Sequence, residues 1–134
     1  SWKFLELILS GKKTIESRWY KTKKTPYGQI HSGDTIYFKN SGEPVAAKVE
    51  VKKVLEFSNL NPAMVDEILK IYGNAIGIRK EKIPMFRKLF KDKKYCALIF
   101  LKDPQGIKPF NIDKKGYGNM AAWMCVNDVD WIRL

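Results

Sequence analysis

Residues 45–55 alternate between apolar and charged side chains, and this stretch constrains the fold more than any other. The apolar positions share one parity: Val45, Ala47, Val49, Val51 and Leu55. Lysine and glutamate side chains occupy most of the positions between them. Because successive side chains of a β-strand point to opposite faces, the pattern predicts a strand with one buried and one solvated face. Lys53 interrupts the apolar parity near the end of the strand, which is typical of a β-bulge or of a barrel rim.

Further strands are predicted on both sides of this one. Residues 34–39 come before it, and the two segments predict an antiparallel hairpin. Tyr95–Leu101 is nearly all apolar, which is typical of a strand covered on both faces. The sequence at 103–106 then predicts a turn into a strand over Ile107–Ile112, and Pro109 confines that strand to a sheet edge. The remaining predicted strands begin at Thr14 or span Met120–Val126 and Val129–Arg133.

Three amphipathic helices complete the predicted elements. The first spans residues 2–10 and ends at Gly11. The second begins at Asn61 and Pro62, a cap followed by a first-turn proline, and is predicted to end at Gly73. The third begins near Pro84 and is predicted to face inward through Phe86, Leu89 and Phe90. Short strands with inserted helices, rather than a one-for-one alternation, predict an α+β fold built on a barrel and not a parallel sheet.

Length and charge limit the classes of function. At 134 residues we expect one domain, residues 1–134. Twenty-five Lys and Arg against fourteen Asp and Glu give a net charge of +11, which favours a polyanionic partner, nucleic acid before membrane. The alternative is that this charge only keeps the protein soluble. No apolar run approaches the length of a membrane span, and Cys96 and Cys125 lie in apolar runs as in a reduced, cytoplasmic protein.

Residues 11–20 carry the charged cluster that we single out as a candidate site. As a strand from Thr14, this stretch places Glu16 and Arg18 on one face, with Lys13 just before them. Two flanking cations hold a carboxylate ionised and leave hydrogen-bonding capacity for a polar ligand. The alternative is an internal ion pair of Glu16 with Arg18 that serves the fold alone.

The pattern Gly11-x-Lys13-x-x-Glu16-x-Arg18 resembles the signature of ASCH domains, which belong to the PUA-like superfamily. The preceding apolar helix and the strand that opens at Gly33-Asp34 add to the resemblance, which is good over residues 2–57 and covers the remainder in outline. It implies a small, mostly antiparallel PUA-like β-barrel with flanking helices. It also implies a cleft beside the motif with an RNA-related role.

We expect this cleft to bind RNA or a modified nucleoside. Cations would hold phosphates and aromatic rings would stack on bases. The candidate residues lie in the motif and in two basic loops, 21–33 and 113–119, of which the first is a candidate flap over the motif: Lys12, Lys13, Glu16, Arg18, Tyr20, Lys23, Lys24, Lys114, Lys115 and Tyr117. The basic segment 79–94 is a third candidate surface for phosphates, or simply the solvated side of a helix. Trp19 and Trp123 are expected in the core.

Two other classes of function stay open. The first is a small hydrolase of RNA or of a modified nucleoside, with Glu16 as the base and Lys13 among the cations that stabilise the transition state. One ASCH-like group of amidohydrolases pairs the motif lysine with a threonine three residues later; that position is Glu16 here, and Thr14 is not its equivalent. The second class is a protein-interaction module. One histidine and two distant cysteines offer no zinc site, and we expect no metal and no cofactor.

Overall fold

The computed structural model describes residues 2–23, 27–39, 43–111 and 123–125. Three helices, α1 (Trp2–Leu9), α2 (Pro62–Ile76) and α3 (Ile83–Phe90), accompany five strands, and a 3-10 turn at Lys80–Lys82 precedes α3. The strands are β1 (Ile15–Tyr20), β2 (Thr35–Lys39), β3 (Val45–Phe57), β4 (Tyr95–Phe110) and β5 (Trp123–Cys125). They form one antiparallel sheet in the order β1-β4-β3-β2-β5, curled into a half-barrel. This confirms the α+β, PUA-like fold class.

The sheet has a separate apolar core on each face. On one face, Leu5 and Ile8 of α1 pack with Ile36, Val49 and Ile99; we call this the α1 face. On the other, the α2 face, Ile15 and Leu98 pack against α2 through Val65, Ile68 and Leu69. Strand β3 supplies both cores because a bulge is present. Its register against β4 shifts between Val51 and Lys53, which turns Val54 to the α1 face and Leu55 to the α2 face.

Helix α2 begins as predicted but is longer. The side-chain oxygen of Asn61 accepts a hydrogen bond from the amide of Met64 at 2.8 Å. The predicted end at Gly73 is wrong, since the helix continues to Ile76 and ends at Gly77, whose φ of +97° is left-handed. Gly73 is a contact residue instead: a Cβ there would lie 2.8 Å from Cδ1 of Ile83. Its lack of a side chain therefore lets the segment at Ile83 approach α2.

Two further predictions are wrong. Leu89 does not face inward: its side chain is 60% exposed, whereas Phe86 and Phe90 are half-buried. The sequence at 103–106 does not reverse the chain either, because β4 runs without a turn from Tyr95 to Phe110. Asp103 adopts a left-handed φ of +52° at an irregularity in the β3–β4 register, so the turn-forming residues produce a bulge. Pro109 lies beyond the β1 pairing, where β4 pairs with β3 on one side, as its missing N–H requires.

Two findings complete the description. Cys96 is a free, fully buried thiol, as expected. Among the described residues no helix is long and apolar enough to cross a membrane. The predicted loop 113–119 and the closing strand 129–133 lie outside the described residues, as does most of the predicted strand 120–126.

Candidate functional site

Lys13 links the motif to the end of α2. Its backbone amide donates to the carbonyl of Leu7 at 2.9 Å, and the next amide, of Thr14, donates to the carbonyl of Ala75 at 2.9 Å. The lysine side chain then runs past Gly77, and its Nζ donates to the carbonyl of Ile76 at 2.5 Å. A cation at the carbonyl end of a helix is favourably placed, so Lys13 caps α2.

Glu16 lies between the two cations of the motif. One carboxylate oxygen is 3.6 Å from Nζ of Lys13, and the other is 3.4 Å from a terminal nitrogen of Arg18. The amide of Ser17 also donates to this carboxylate at 3.0 Å. Lys13 and Glu16 are each only 4% exposed, so the pair is almost completely shielded from solvent. The three charged residues are therefore together, as the motif predicted, and two of them are in the protein interior.

Arg18 is the most exposed residue of the cluster. Its side chain is 31% exposed, against 5% for the side chain of Glu16. Arg18 is opposite Ala97 on β4, and Ala97 is opposite Glu56 on β3. Residues opposite each other in antiparallel strands share a face, so Arg18, Ala97 and Glu56 form a row on the α1 face. A cation and a carboxylate thus lie on either side of a small side chain.

Burial shifts the pKa values of two groups beside Glu16. It lowers the pKa of the Lys13 ammonium, and the nearby Glu16 carboxylate opposes this without overcoming it. It also raises the pKa of the Tyr20 phenol to about 12. Tyr20 is only 8% exposed, which corrects its prediction as a surface residue: the strand that projects Glu16 and Arg18 also turns Tyr20 to the covered α1 face.

Part of loop 21–33 packs beside this row. The amide of Gly28 donates to the Glu56 carboxylate, and the ring of Tyr27 meets that of Tyr95 edge-on with centroids 5.4 Å apart. Lys23 lies over the Tyr27 ring at 5.6 Å. Loop 21–33 was predicted as a candidate flap over the motif; within its described part, Gly28 contacts Glu56 of β3 and Tyr27 contacts Tyr95 of β4, the residue opposite Tyr20. Glu56 and Tyr95 had no sequence signal, because only the strand register places them near Arg18.

Of the remaining candidate residues, the structure describes Lys12 and Lys23. Lys12 and Lys23 are exposed, while Lys24, Lys114, Lys115 and Tyr117 lie outside the described residues. Trp19 stacks on Phe90 of α3 with ring centroids 4.5 Å apart. It projects from the α2 face of β1, so α3 lies across the sheet from Arg18. The basic segment 79–94 is therefore not one surface: its helix α3 is on the α2 face, whereas the amide of Lys94 donates to the carbonyl of Tyr20 at the end of β1 at 2.9 Å.

Comparison with known proteins gives a family and a fold. The family model of the ASCH domain matches residues 2–127. The ASCH protein from Zymomonas mobilis is similar in structure at 20% identity and a TM-score of 0.63, over 94% of this chain and 82% of that chain. Its tyrosine-to-phenylalanine variant has 19% identity and a TM-score of 0.67, over 96% of this chain and 87% of that chain. The hypothetical protein PH0355 has 26% identity and a TM-score of 0.52, over 80% of this chain and 94% of that chain. No curated protein matches significantly.

Proposed function

The chain belongs to the ASCH domain family, and from this premise we propose that it binds RNA or a nucleoside-like ligand on the α1 face beside Arg18. The observation that carries the proposal is the cluster of Lys13, Glu16 and Arg18. The cluster holds the Arg18 guanidinium at the boundary of the protein interior, where the guanidinium can contact a ligand. The net charge of +11 supports a polyanionic ligand.

The three motif residues have different roles in this proposal. Lys13 and Glu16 are nearly shielded from solvent, so they act as positioning residues that fix the Arg18 side chain. Arg18 makes the ligand contact, because a planar guanidinium can donate two parallel hydrogen bonds to a phosphate or a base edge. Glu56, across Ala97, offers an acceptor for a base donor.

Residues around the motif would supply the remaining RNA contacts. Lys12 and Lys23 are exposed and lie close to the motif in the amino-acid sequence. They would attract the phosphates of the RNA whatever its base sequence. We assign the same role to Lys24, Lys114 and Lys115. Tyr117 is proposed to stack on a base, as aromatic side chains do in proteins that bind single strands.

Replacing Arg18 by glutamine is expected to weaken binding of a fluorescein-labelled poly(U) oligomer by about tenfold or more. Fluorescence anisotropy at low and at physiological salt measures the change. Arg87→Gln is the matched control, because Arg87 is a half-exposed, ion-paired arginine of α3, and Phe86 and Phe90 of that helix pack on the α2 face of the sheet. Equal losses in both variants would show that binding follows total charge, and the proposed site would be abandoned.

A hydrolase is the second candidate, and the lowered pKa of Lys13 favours it. A buried charged group with a shifted pKa is typical of catalytic sites, and in this alternative Glu16 acts as the base while Lys13 is among the cations that stabilise the transition state. Hydrolysis predicts that Lys13→Met and Glu16→Gln abolish turnover of RNA or nucleosides even at saturating ligand, as followed by mass spectrometry, whereas Arg18→Gln, which leaves both groups in place, lowers the affinity and keeps turnover at saturation. If the ligand is recovered unaltered from the wild-type protein after long incubation, hydrolysis is excluded and binding remains as the proposed function.

A further inference from the structure

A groove with a volume of about 730 Å³ lies between α2 and α3. Its lining includes the apolar residues Leu69, Ile78 and Ile83, of which Leu69 and Ile78 belong to the core on the α2 face and Ile83 packs against that core. Gly73 makes the approach of Ile83 possible, because a Cβ at Gly73 would lie 2.8 Å from Cδ1 of Ile83. A recess of this volume with apolar and polar lining is typical of a site for a small molecule.

An ion pair joins the two walls at one end of the groove. A carboxylate oxygen of Asp66 on α2 is 2.6 Å from a guanidinium nitrogen of Arg87 on α3. Glu67, the other acidic residue of the described lining, follows Asp66 directly in α2. Ile83, at the start of α3, meets α2 at Gly73, near the end of that helix, so the two helices are antiparallel. Both acidic groups of the lining are therefore at the Arg87 end, and the Asp66 carboxylate is already paired.

The other end of the groove carries cations and an amide. Lys70 and Asn74 follow Asp66 at intervals of four residues, so the three side chains form one row on α2. Along the helix axis Asn74 is about 12 Å from Asp66. Lys80 lines the groove from the 3-10 turn and comes three residues before Ile83, so it is on the side away from Arg87. This end of the groove therefore offers two ammonium groups and an amide donor beside an apolar lining.

We propose that the groove binds a small carboxylate that has an apolar body. The apolar body packs on Leu69, Ile78 and Ile83, and the carboxylate points away from the Asp66–Arg87 pair. Lys70 and Lys80 then donate charge-assisted hydrogen bonds to it, which are stronger than bonds between neutral groups. A polyanion that filled the whole groove fits less well, because its charges would also meet the acidic groups at the Arg87 end.

Naphthoate is the probe for this proposal, because it carries one carboxylate on a rigid apolar body. Isothermal titration calorimetry of the whole protein is expected to show naphthoate binding. Its methyl ester, which keeps the apolar body and lacks the charge, should bind about tenfold more weakly. K70M/K80M should weaken naphthoate binding by about tenfold or more and leave the affinity for the ester unchanged. Both lysines are exposed, so this double variant should keep its fold, as circular dichroism will check.

K88M/K91M is the matched control. It also removes two exposed lysines of segment 79–94, but these two are outside the described lining of the groove. Its naphthoate affinity should equal that of the wild type. Equal affinities of wild type and K70M/K80M for naphthoate, or equal losses in the two double variants, would overturn the groove proposal. So would equal affinities of the wild type for naphthoate and for its methyl ester, or no measurable binding of naphthoate.

The groove must also act independently of the RNA site. Arg18→Gln should leave the naphthoate affinity unchanged, because Arg18 lies across the sheet from α3. K70M/K80M should lower the poly(U) affinity no more than K88M/K91M does, since both variants remove the same charge. Either proposal can therefore fail while the other stands.

Discussion

Replacing Glu16 by glutamine is expected to lower the free energy of unfolding by about 3 kcal/mol, the largest effect of a single substitution in the motif. The carboxylate lies 3.6 Å from Lys13 and 3.4 Å from Arg18, and the pair with Lys13 is nearly shielded from solvent. Without its negative charge, two cations face each other and one of them is in the interior. Urea unfolding of the purified protein, followed by circular dichroism, measures the change.

Two further variants isolate the buried charge as the cause. Glu50→Gln is the matched control: its carboxylate is 3.8 Å from Lys102, but both side chains are almost half exposed. An exposed pair contributes little, so we expect a change below about 1 kcal/mol there. The double variant Lys13→Met/Glu16→Gln should recover part of the loss, because it removes the unpaired buried cation. Similar losses for Glu16 and Glu50, or additive single effects, would contradict a coupled buried pair.

The elements that could be predicted from sequence are those with a local pattern. Alternation over residues 45–55 predicts β3, and the break in that alternation at Lys53 indicates the bulge found between Val51 and Lys53, because one buried face imposes a period of two residues. Asn61 and Pro62 predict the start of α2, since a cap and a first-turn proline act within one turn. These features need no knowledge of what packs against them.

The errors arose where a distant residue decides the outcome. Glycine is typical of helix ends, but Gly73 lies within α2, where its contact with Ile83 requires a residue without a side chain. Leu89 has helical spacing with Phe86, but the two phenylalanines fill the inner side of α3 and leave Leu89 in solvent. The turn-forming residues at 103–106 are absorbed as a bulge because β3 continues to pair alongside β4.

The features of the candidate site also fall into those that a local pattern predicts and those that a distant residue decides. Lys13, Glu16 and Arg18 could be grouped from sequence because they are two or three residues apart. The burial of Lys13 could not, since it depends on the carbonyl of Ile76 at the end of α2. Nor could the position of Glu56, which reaches the Arg18 row only through the paired strands β1, β4 and β3.

Raising the pH from 9 to about 11 is expected to cost the protein about 2 kcal/mol of unfolding free energy through Cys96 alone. Burial raises the pKa of this thiol far above its ordinary value of 9.0. Above pH 9 the unfolded chain therefore releases a proton that the folded chain keeps, and stability falls as pH rises. Tyr20 adds a loss of the same sign above pH 10, because its phenol has a pKa of about 12 in the folded protein.

Lys13 acts in the opposite direction. Its lowered pKa means that the folded protein releases a proton before the unfolded chain does, so stability rises with pH below 10.5. Lys13 and Tyr20 are present in both wild type and Cys96→Ala. Their contributions to the pH dependence of stability therefore cancel when the two proteins are compared. Unfolding in urea across this range, with a reductant to prevent disulfides, should show a shallower decline for Cys96→Ala. Parallel declines would mean that the folded protein admits the thiolate, and the buried environment of Cys96 would then not account for its alkaline stability.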